Sequence, residues 1–479
     1  MDKPTGVTRR QFACTMCGAW LASRYCGSSL KAAATAGPQP WDQPAVVAKV
    51  YLSAPTIHWP NVGLDVKKEV AEIEARLAEV ERKHATKLRF TGGQLLTGAD
   101  QVEAWAKSLG GADAVLAIPA SQPSVPVTAI VDAAKLPTLC FSRPYAGHQW
   151  SGVATLRKKG GRVDVLASSS YGGLDAYVPV WRAMHHLRHS KVLVVAQSPA
   201  GRQNLADGFN KQFGTTFRFL TYDDLNAAFP KADAQRAKRA AEEFARGALK
   251  VVEPTPKEIH DAFRFYLMVE DLLEGEKANA ITVDCFPGLL GKKLPAYPCI
   301  SWSKLNDQGR YGVCEGDVRS TMTQLLITSA TGMPGFVSDP VFDLSRNEVV
   351  HAHCVAATKM GGITGPSSPY LIRHHLETAE GAVLQVLMPV GRTITVGEFA
   401  DPAKFLVSTA EVTGTTAEVT GSPDAERGCR SKIRTRVTDA EKWLENYSSG
   451  LHRVIFYGDH VAAIERMGHL MGFEVVREI

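Results

Sequence analysis

The chain has 479 residues, of which 45% are hydrophobic and 22% are charged. These values are ordinary for a soluble globular enzyme, and the length allows two to four domains with a large buried core. Of the formal net charge of +5, residues 1–36 account for +4, because they hold five basic residues and one acidic residue. The rest of the chain is close to neutral, which excludes nucleic acid as an expected partner.

The first 36 residues have the pattern of an export signal. The sequence Thr-Arg-Arg-Gln-Phe at residues 8–12 matches the twin-arginine motif, an apolar stretch follows at 13–23, and Ala-Thr-Ala at 34–36 offers a cleavage site. We therefore predict a signal peptide and a periplasmic protein. The alternative is a disordered tail with two chance arginines on a cytoplasmic protein. No other apolar run has transmembrane length, so no membrane association is expected.

Strands and helices alternate after the leader, which predicts a first α/β domain over residues 45–170. Strands are predicted at 46–52, 87–90, 114–118 and 137–141. Helices are predicted at 66–84, 99–109 and 127–134. Such a series is typical of a parallel sheet covered by helices.

A second series of the same kind predicts another α/β domain over residues 171–346. Helices are predicted at 174–189, 203–213, 233–248 and 256–274, with strands at 191–195 and 280–283. Past about residue 350 the strands alternate in polarity, and the only long helix is predicted at 461–471. The fold class expected is therefore α/β, with two doubly wound (Rossmann-like) domains followed by a β-rich, barrel-like domain at 347–479.

Two carboxylates lie at the edges of predicted elements in the second α/β domain. Glu315 comes directly before a helix that begins after Asp317 and ends at Gly332, so the helix dipole favours its ionised form. Asp339 precedes Pro340, which predicts that it lies at the end of a strand. Each has an ordinary alternative, since acidic residues often begin helices and Asx turns often precede proline.

Histidines offer nitrogen ligands in the last domain. His351 and His353 share one face of a predicted strand with Val349 and Val355, and His452 lies in the last strand. With Glu315 and Asp339, they form a mixed oxygen and nitrogen donor set for a divalent metal. His351 is either a ligand or a group that orients one.

Other histidines are expected to have ordinary roles. His185, His186 and His189 lie at the C-terminal end of a basic helix, where they complement its dipole. His374 and His375 are expected at the surface. The chain has none of the dinucleotide, P-loop, His-Glu-x-x-His or Gly-x-Ser-x-Gly motifs, which argues against NAD or ATP chemistry.

Three segments resemble the L-fucose/L-arabinose isomerase superfamily. They are Gly-Arg-Tyr-Gly-Val-Cys-Glu-Gly-Asp at 309–317, Asn-Glu-Val-Val-His-Ala-His at 347–353, and Gly-Leu-His-Arg-Val-Ile-Phe-Tyr-Gly-Asp at 450–459. The spacing from Glu315 to Asp339 is also similar to that of fucose isomerases. The N-terminal third of the chain is similar in architecture alone.

The resemblance implies a ketol isomerase that uses a divalent metal, most often Mn²⁺. It implies Glu315, Asp339, His353 and His452 as metal ligands, with the two carboxylates moving a proton between C1 and C2 of an open-chain sugar. It also implies a homo-oligomer, a trimer or hexamer, with sites between subunits.

Residues of the first α/β domain are weaker candidates for binding the sugar. His148, Gln149 and Trp150 combine polar and aromatic groups suited to a carbohydrate, and His351 is a further candidate. Tyr171 lies in Ser-Ser-Tyr-Gly-Gly at 169–173, where arabinose isomerases have a histidine that reaches a neighbouring subunit's site. This difference predicts a different substrate.

Two alternatives to an isomerase stay open. A metal-dependent epimerase would use the same carboxylates. An exported sugar-binding protein without turnover would also have two α/β lobes, although it would not need a pair of proton-transferring carboxylates.

Overall fold

The structure, a computed structural model, describes residues 39–416 and 428–479. The predicted leader at 1–36 lies outside the described residues. Within the described part of the chain, no helix combines the length and the apolar character that crossing a bilayer requires.

The first sheet has five parallel strands with helices in the connections. Its strands are β1 (Ala45–Leu52), β2 (Leu88–Leu96), β3 (Ala114–Pro119), β4 (Thr138–Ser142) and β5 (Val163–Ala167). Its helices are α1 (Val66–Lys83), α2 (Val102–Lys107), α3 (Val127–Ala134) and α4 (Val153–Lys158). The strand order β2-β1-β3-β4-β5 reverses at β1, as in a doubly wound fold. Every residue of β3 and β4 is buried, which explains the unbroken apolar sequence of β3 and the apolar centre of β4.

The second sheet has four parallel strands. The strands in this part of the chain are β6 (Lys191–Val195), β7 (Thr216–Leu220), β8 (Lys250–Val251), β9 (Ala280–Val283) and β10 (Tyr311–Cys314). The helices are α5 (Val178–His189), α6 (Arg202–Phe213), α7 (Tyr222–Ala228), α8 (Ala234–Gly247), α9 (Pro256–Gly275), α10 (Cys285–Leu290), α11 (Cys299–Asp307) and α12 (Val318–Thr331). The sheet order is β10-β9-β6-β7, and β8 pairs elsewhere.

The C-terminal region contains a closed β-barrel. Its strands are β11 (Phe336–Asp343), β12 (Glu348–His353), β13 (Tyr370–His375), β14 (Glu380–Val386), β15 (Thr393–Asp401), β16 (Lys404–Thr415), β17 (Ser431–Arg436), β18 (Arg453–Tyr457) and β19 (Glu474–Arg477). The helices are α13 (Ala440–Asn446) and α14 (Val461–Met471). The order β15-β18-β11-β12-β17-β16 closes because β16 also pairs with β15. The hairpin of β13 and β14 pairs with β8, and β19 lies parallel to β16.

The α/β class, the two parallel sheets and the barrel are thus confirmed, whereas the division into domains stays a prediction. One strand lies differently from the prediction. Asp339 was expected at the end of a strand in the second α/β region, but it lies inside β11, a strand of the barrel. The whole of β11 precedes residue 347, at which the β-rich domain was expected to begin. The strand continues through Pro340 because β18 pairs only with residues 336–338, so Pro340 has a ladder partner on one side alone.

Candidate metal centre

Four elements bring the predicted ligands together. Glu315 lies in the turn from β10 to α12, Asp339 in β11, His353 at the end of β12, and His452 directly before β18. Glu315 has a φ of 65° in this turn, a left-handed conformation that is uncommon for a residue with a side chain. Strained backbone of this kind is found often at functional sites.

The distances show how closely the four side chains approach one another. The Nε2 atom of His452 lies 3.4 Å from Oε2 of Glu315 and 3.4 Å from Oδ1 of Asp339. The Nε2 atom of His353 lies 3.7 Å from Oε1 of Glu315. Glu315, His353 and His452 each offer a ligand atom, and these atoms lie within 4.8 Å of one another. Three of the four predicted donors are therefore mutually close, and the fourth, Asp339, lies beside His452.

The arrangement fits a metal ion because three of its buried atoms are left without a hydrogen-bond partner among the described residues. They are Oδ1 of Asp339, Nε2 of His353 and Nε2 of His452. Buried polar atoms are nearly always satisfied in folded proteins. Carboxylate oxygens and imidazole nitrogens together suit borderline divalent ions such as Mn²⁺, Fe²⁺ or Zn²⁺.

The other nitrogen of each imidazole has a defined neighbour. Nδ1 of His452 donates to Oδ2 of Asp317 at 2.8 Å. Nδ1 of His353 accepts from the backbone N–H of Cys354 at 2.8 Å. A neutral imidazole that accepts a hydrogen bond at Nδ1 has its proton at Nε2. If a cation were bound at Nε2 of His353, the proton would have to lie at Nδ1, and the hydrogen bond from Cys354 would be lost.

Burial and charge set the protonation states of the centre. Burial lowers the pKa of His452, but the hydrogen bond to Asp317 and the closeness of Glu315 outweigh it and raise the pKa to about 11. The His452 ring lowers the pKa of Glu315 below its ordinary value, although burial opposes this. Burial and then the charge of Glu315 raise the pKa of Asp339 to about 6. Burial lowers the pKa of His353 to about 3. Near neutral pH the site therefore holds one imidazolium between carboxylates.

Two further residues near the centre were missed by the sequence reasoning. His375 was expected at the surface but is buried, and its Nε2 lies 3.9 Å from Oε2 of Glu377. Burial and then the charge of Glu315 raise the pKa of Glu377. Glu377 in turn adds negative charge beside Asp339. A carboxylate in the β13–β14 turn has no local pattern that would have identified it.

His351 is not part of the cluster of ligand atoms. It is fully buried, its Nδ1 lies 3.3 Å from the hydroxyl of Ser338, and its ring lies 6.0 Å from that of Trp443. Ser338 directly precedes Asp339 in β11. Of the two roles left open by the sequence, support of the site is the one that this position favours.

A second cluster of Asp113, His185 and His189 also has ligand atoms within 4.8 Å of one another. Both ring nitrogens of His185 are already engaged, with Oδ2 of Asp113 and with the carbonyl of Pro40, each at 2.9 Å. These histidines were expected only to complement the dipole at the end of α5. His185 and His186 are in addition buried, and they contact the segment at Pro40 and Trp41.

The weaker sugar-binding candidates lie on the first sheet. His148 and Trp150 line a cleft of about 670 Å³ with Trp59, at the C-terminal ends of β4 and β5. The His148 ring lies 5.7 Å from that of Trp59 and 6.5 Å from that of Trp150. Open α/β sheets bind ligands at such strand ends, and aromatic rings suit the apolar faces of sugars.

Gln149 and Tyr171 have local contacts instead. Oε1 of Gln149 accepts from the first backbone N–H of α3 at 2.9 Å, which is a capping contact. The Tyr171 ring packs edge-on against Phe141, with 5.1 Å between the ring centroids. Gln149 and Tyr171 are not among the residues that line the cleft.

Comparisons with known proteins give one informative similarity. No family model matches the chain. Over 195 residues the chain is 26% identical to a sulfoquinovose isomerase of Clostridium sp. (strain MSTE9). The match covers 38% of this chain and 42% of that protein, so it spans well under half of the curated relative.

Proposed function

We propose that the protein is a metal-dependent aldose–ketose isomerase. The observation that carries the proposal is the close approach of Glu315, Asp339, His353 and His452, three of whose buried atoms have no hydrogen-bond partner among the described residues. The similarity to a sulfoquinovose isomerase supports the same class of reaction and makes sulfoquinovose the first aldose to test.

The residues of the site suit proton transfer between adjacent carbons. When bound, a divalent ion supplies positive charge that stabilises the two oxygens of an ene-diol. Asp339 lies beside His452 and near Glu315, so its carboxylate can serve as the base that removes the proton from C2. Return of a proton to C1, and transfer of the hydroxyl proton from O2 to O1, completes the ketose. Glu315 is the second carboxylate within the same centre, so the pair can serve as base and acid.

Three features of the proposal rest on the sequence alone. Manganese as the metal, and a trimer or hexamer with sites between subunits, come from the family resemblance, whereas export by the twin-arginine route comes from the pattern of the first 36 residues. Elemental analysis, light scattering and N-terminal sequencing of the exported protein test them separately.

A second candidate function is sugar binding without turnover. The cleft at Trp59, His148 and Trp150 supports it, because its aromatic lining suits a sugar and includes none of the four predicted metal ligands. An epimerase would use the same residues as the isomerase, and product analysis separates the two.

The test is Asp339→Asn, with Asp343→Asn on the same strand as the matched control. Asp343 accepts a hydrogen bond from Ser345 and is not part of the cluster. If the protein is an isomerase, the rate of ketose formation falls by about 10²- to 10⁴-fold or more in Asp339→Asn, while the control keeps the wild-type rate. If neither the wild type nor either variant forms a ketose, but all bind the sugar equally, the binding-protein function is correct.

A further inference from the structure

Behind the metal centre, a chain of polar side chains links His452 to a strand of the barrel. Nδ1 of His452 lies 2.8 Å from Oδ2 of Asp317, and the Ser320 hydroxyl lies 2.8 Å from that same oxygen. The Ser320 hydroxyl also lies 3.2 and 3.3 Å from the two carboxylate oxygens of Glu398, in β15. Glu398 is 1% exposed.

The carboxylate of Asp317 is fully occupied as an acceptor. Its Oδ1 caps α12 by accepting from the backbone N–H groups of Arg319 and Ser320 at 2.8 and 3.1 Å. Its Oδ2 accepts from the Ser320 hydroxyl and from His452. Asp317 therefore requires that His452 keep a proton at Nδ1, which directs Nε2 towards Glu315 and Asp339.

The number of available protons determines the state of Glu398. The Ser320 hydroxyl has one proton, and the shorter distance assigns it to Asp317. The hydroxyl then presents only lone pairs to Glu398, so a Glu398 oxygen in contact with it must bring its own proton. Within residues 39–416 and 428–479, no ion pair includes Glu398, and Arg453, whose charge acts on it, is paired with Glu478. Burial, and then the charge of Asp317, raise the pKa of Glu398 well above its ordinary value.

We propose that Asp317 is a positioning residue that holds a proton at Nδ1 of His452, and that Glu398 is a neutral carboxylic acid that donates to Ser320. The hydrogen bonds then run from Glu398 through Ser320 to Asp317, where they meet the bond from His452. Ligand histidines whose second nitrogen is held by a carboxylate bind metal more tightly. The part of the inference that concerns metal affinity rests on the proposed function, whereas the protonation states do not.

The decisive variant is Asp317→Asn. Its amide oxygen can still cap α12, but its N–H₂ group then faces Nδ1 of His452 and requires that nitrogen to accept. The reverse orientation would place the N–H₂ group against two backbone N–H donors. His452 must then have its proton at Nε2, where it opposes a cation, so we expect metal affinity to fall by about 10- to 100-fold. Asp233→Asn is the matched control, because Asp233 caps α8 through the same two contacts, with Gln235 and Arg236, and has no histidine partner in the described part of the chain.

Two measurements keep the test independent of metal and of sugar. Nitrogen NMR of the metal-free protein should show a protonated Nδ1 of His452 that is lost in Asp317→Asn. Infrared spectroscopy should show a neutral carboxylic acid band that disappears in Glu398→Gln. We expect Glu398→Leu to weaken metal binding several-fold and Glu398→Gln to recover most of it, because an amide can also donate to Ser320.

The outcomes separate this inference from the proposed function. If the wild type binds no metal but both spectra are as expected, the proposed function fails and the hydrogen-bond chain stands. An Asp317→Asn variant with wild-type metal affinity overturns the positioning role. A carboxylic acid band that persists in Glu398→Gln overturns the protonation of Glu398.

Discussion

Loading the candidate metal centre with Mn²⁺ should raise the melting temperature of the chelator-treated protein. Among the described residues, Oδ1 of Asp339 and Nε2 of both His353 and His452 are buried and have no hydrogen-bond partner. A buried polar group without a partner costs about 1–3 kcal/mol. A cation bound by these atoms would remove that cost in the folded state alone, so binding is expected to stabilise the fold.

The size of the effect follows from linkage between binding and folding. A ligand at a hundred times its Kd adds about 2.7 kcal/mol to the free energy of unfolding. For the ~430 described residues, the entropy of unfolding is about 0.9 kcal/mol per kelvin. The melting temperature should therefore rise by about 3 °C, and by about 5 °C at a thousand times Kd.

The assay is differential scanning calorimetry with and without Mn²⁺, repeated on Glu315→Gln. A hundredfold loss of affinity in this variant leaves about 0.4 kcal/mol at the same Mn²⁺ concentration, or roughly half a degree. Glu445→Gln, which changes an exposed carboxylate on α13, is the control and should behave like the wild type. An equal rise in Glu315→Gln would refute the assignment of the site, as would no rise with Mn²⁺, Zn²⁺ or Mg²⁺.

Three further outcomes are expected. Metal binding at pH 7.5 should release about one proton, because His452, with a pKa near 11, must lose its Nε2 proton. Asp339, with a pKa near 6, is already ionised at that pH, so the metal affinity should also weaken as the pH falls through 6. Calorimetric titration in buffers of different ionisation enthalpy measures this, and the absence of proton release would contradict it. Arg453→Met should lower the free energy of unfolding by about 3–5 kcal/mol, since it leaves Glu478 as a buried unpaired charge; a loss below 1 kcal/mol in urea denaturation would contradict this. Gly312 lies in β10, the strand that leads to the candidate metal centre, and Gly312→Ala should lower the free energy of unfolding by about 1–3 kcal/mol. The added Cβ would lie 2.8 Å from the Cα atom of Trp302. An unchanged denaturation midpoint would contradict this expectation.

Local signals in the sequence were sufficient to predict many elements. Asp317 and Gly332 were expected to begin and end one helix, and in the structure they are the caps of α12, with Gly332 at a φ of 71°. Helix α14 has the predicted bounds, and its C-cap, Gly472, has a φ of 78°. Capping depends on residues within one turn, so it can be identified without knowledge of the fold.

Features that depend on distant pairing could not be predicted in the same way. Proline after Asp339 suggested a strand end, but the outcome depended on where β18 stops pairing with β11. The contact between Asp317 and His452 joins positions 135 residues apart, and Glu398 reaches Ser320 across 78 residues. Only the closure of the barrel and its register against α12 bring these groups together.

An aldose with deuterium at C2 tests whether the protein transfers a proton between C1 and C2. The Mn²⁺-loaded protein would be incubated with labelled sulfoquinovose and other aldoses, and the products followed by NMR. We expect a ketose in which deuterium has left C2 and has exchanged in part with water. The reaction should stop when chelator is added and should be absent in Asp339→Asn. No ketose from any aldose while metal is bound, or complete retention of deuterium at C1, would contradict it.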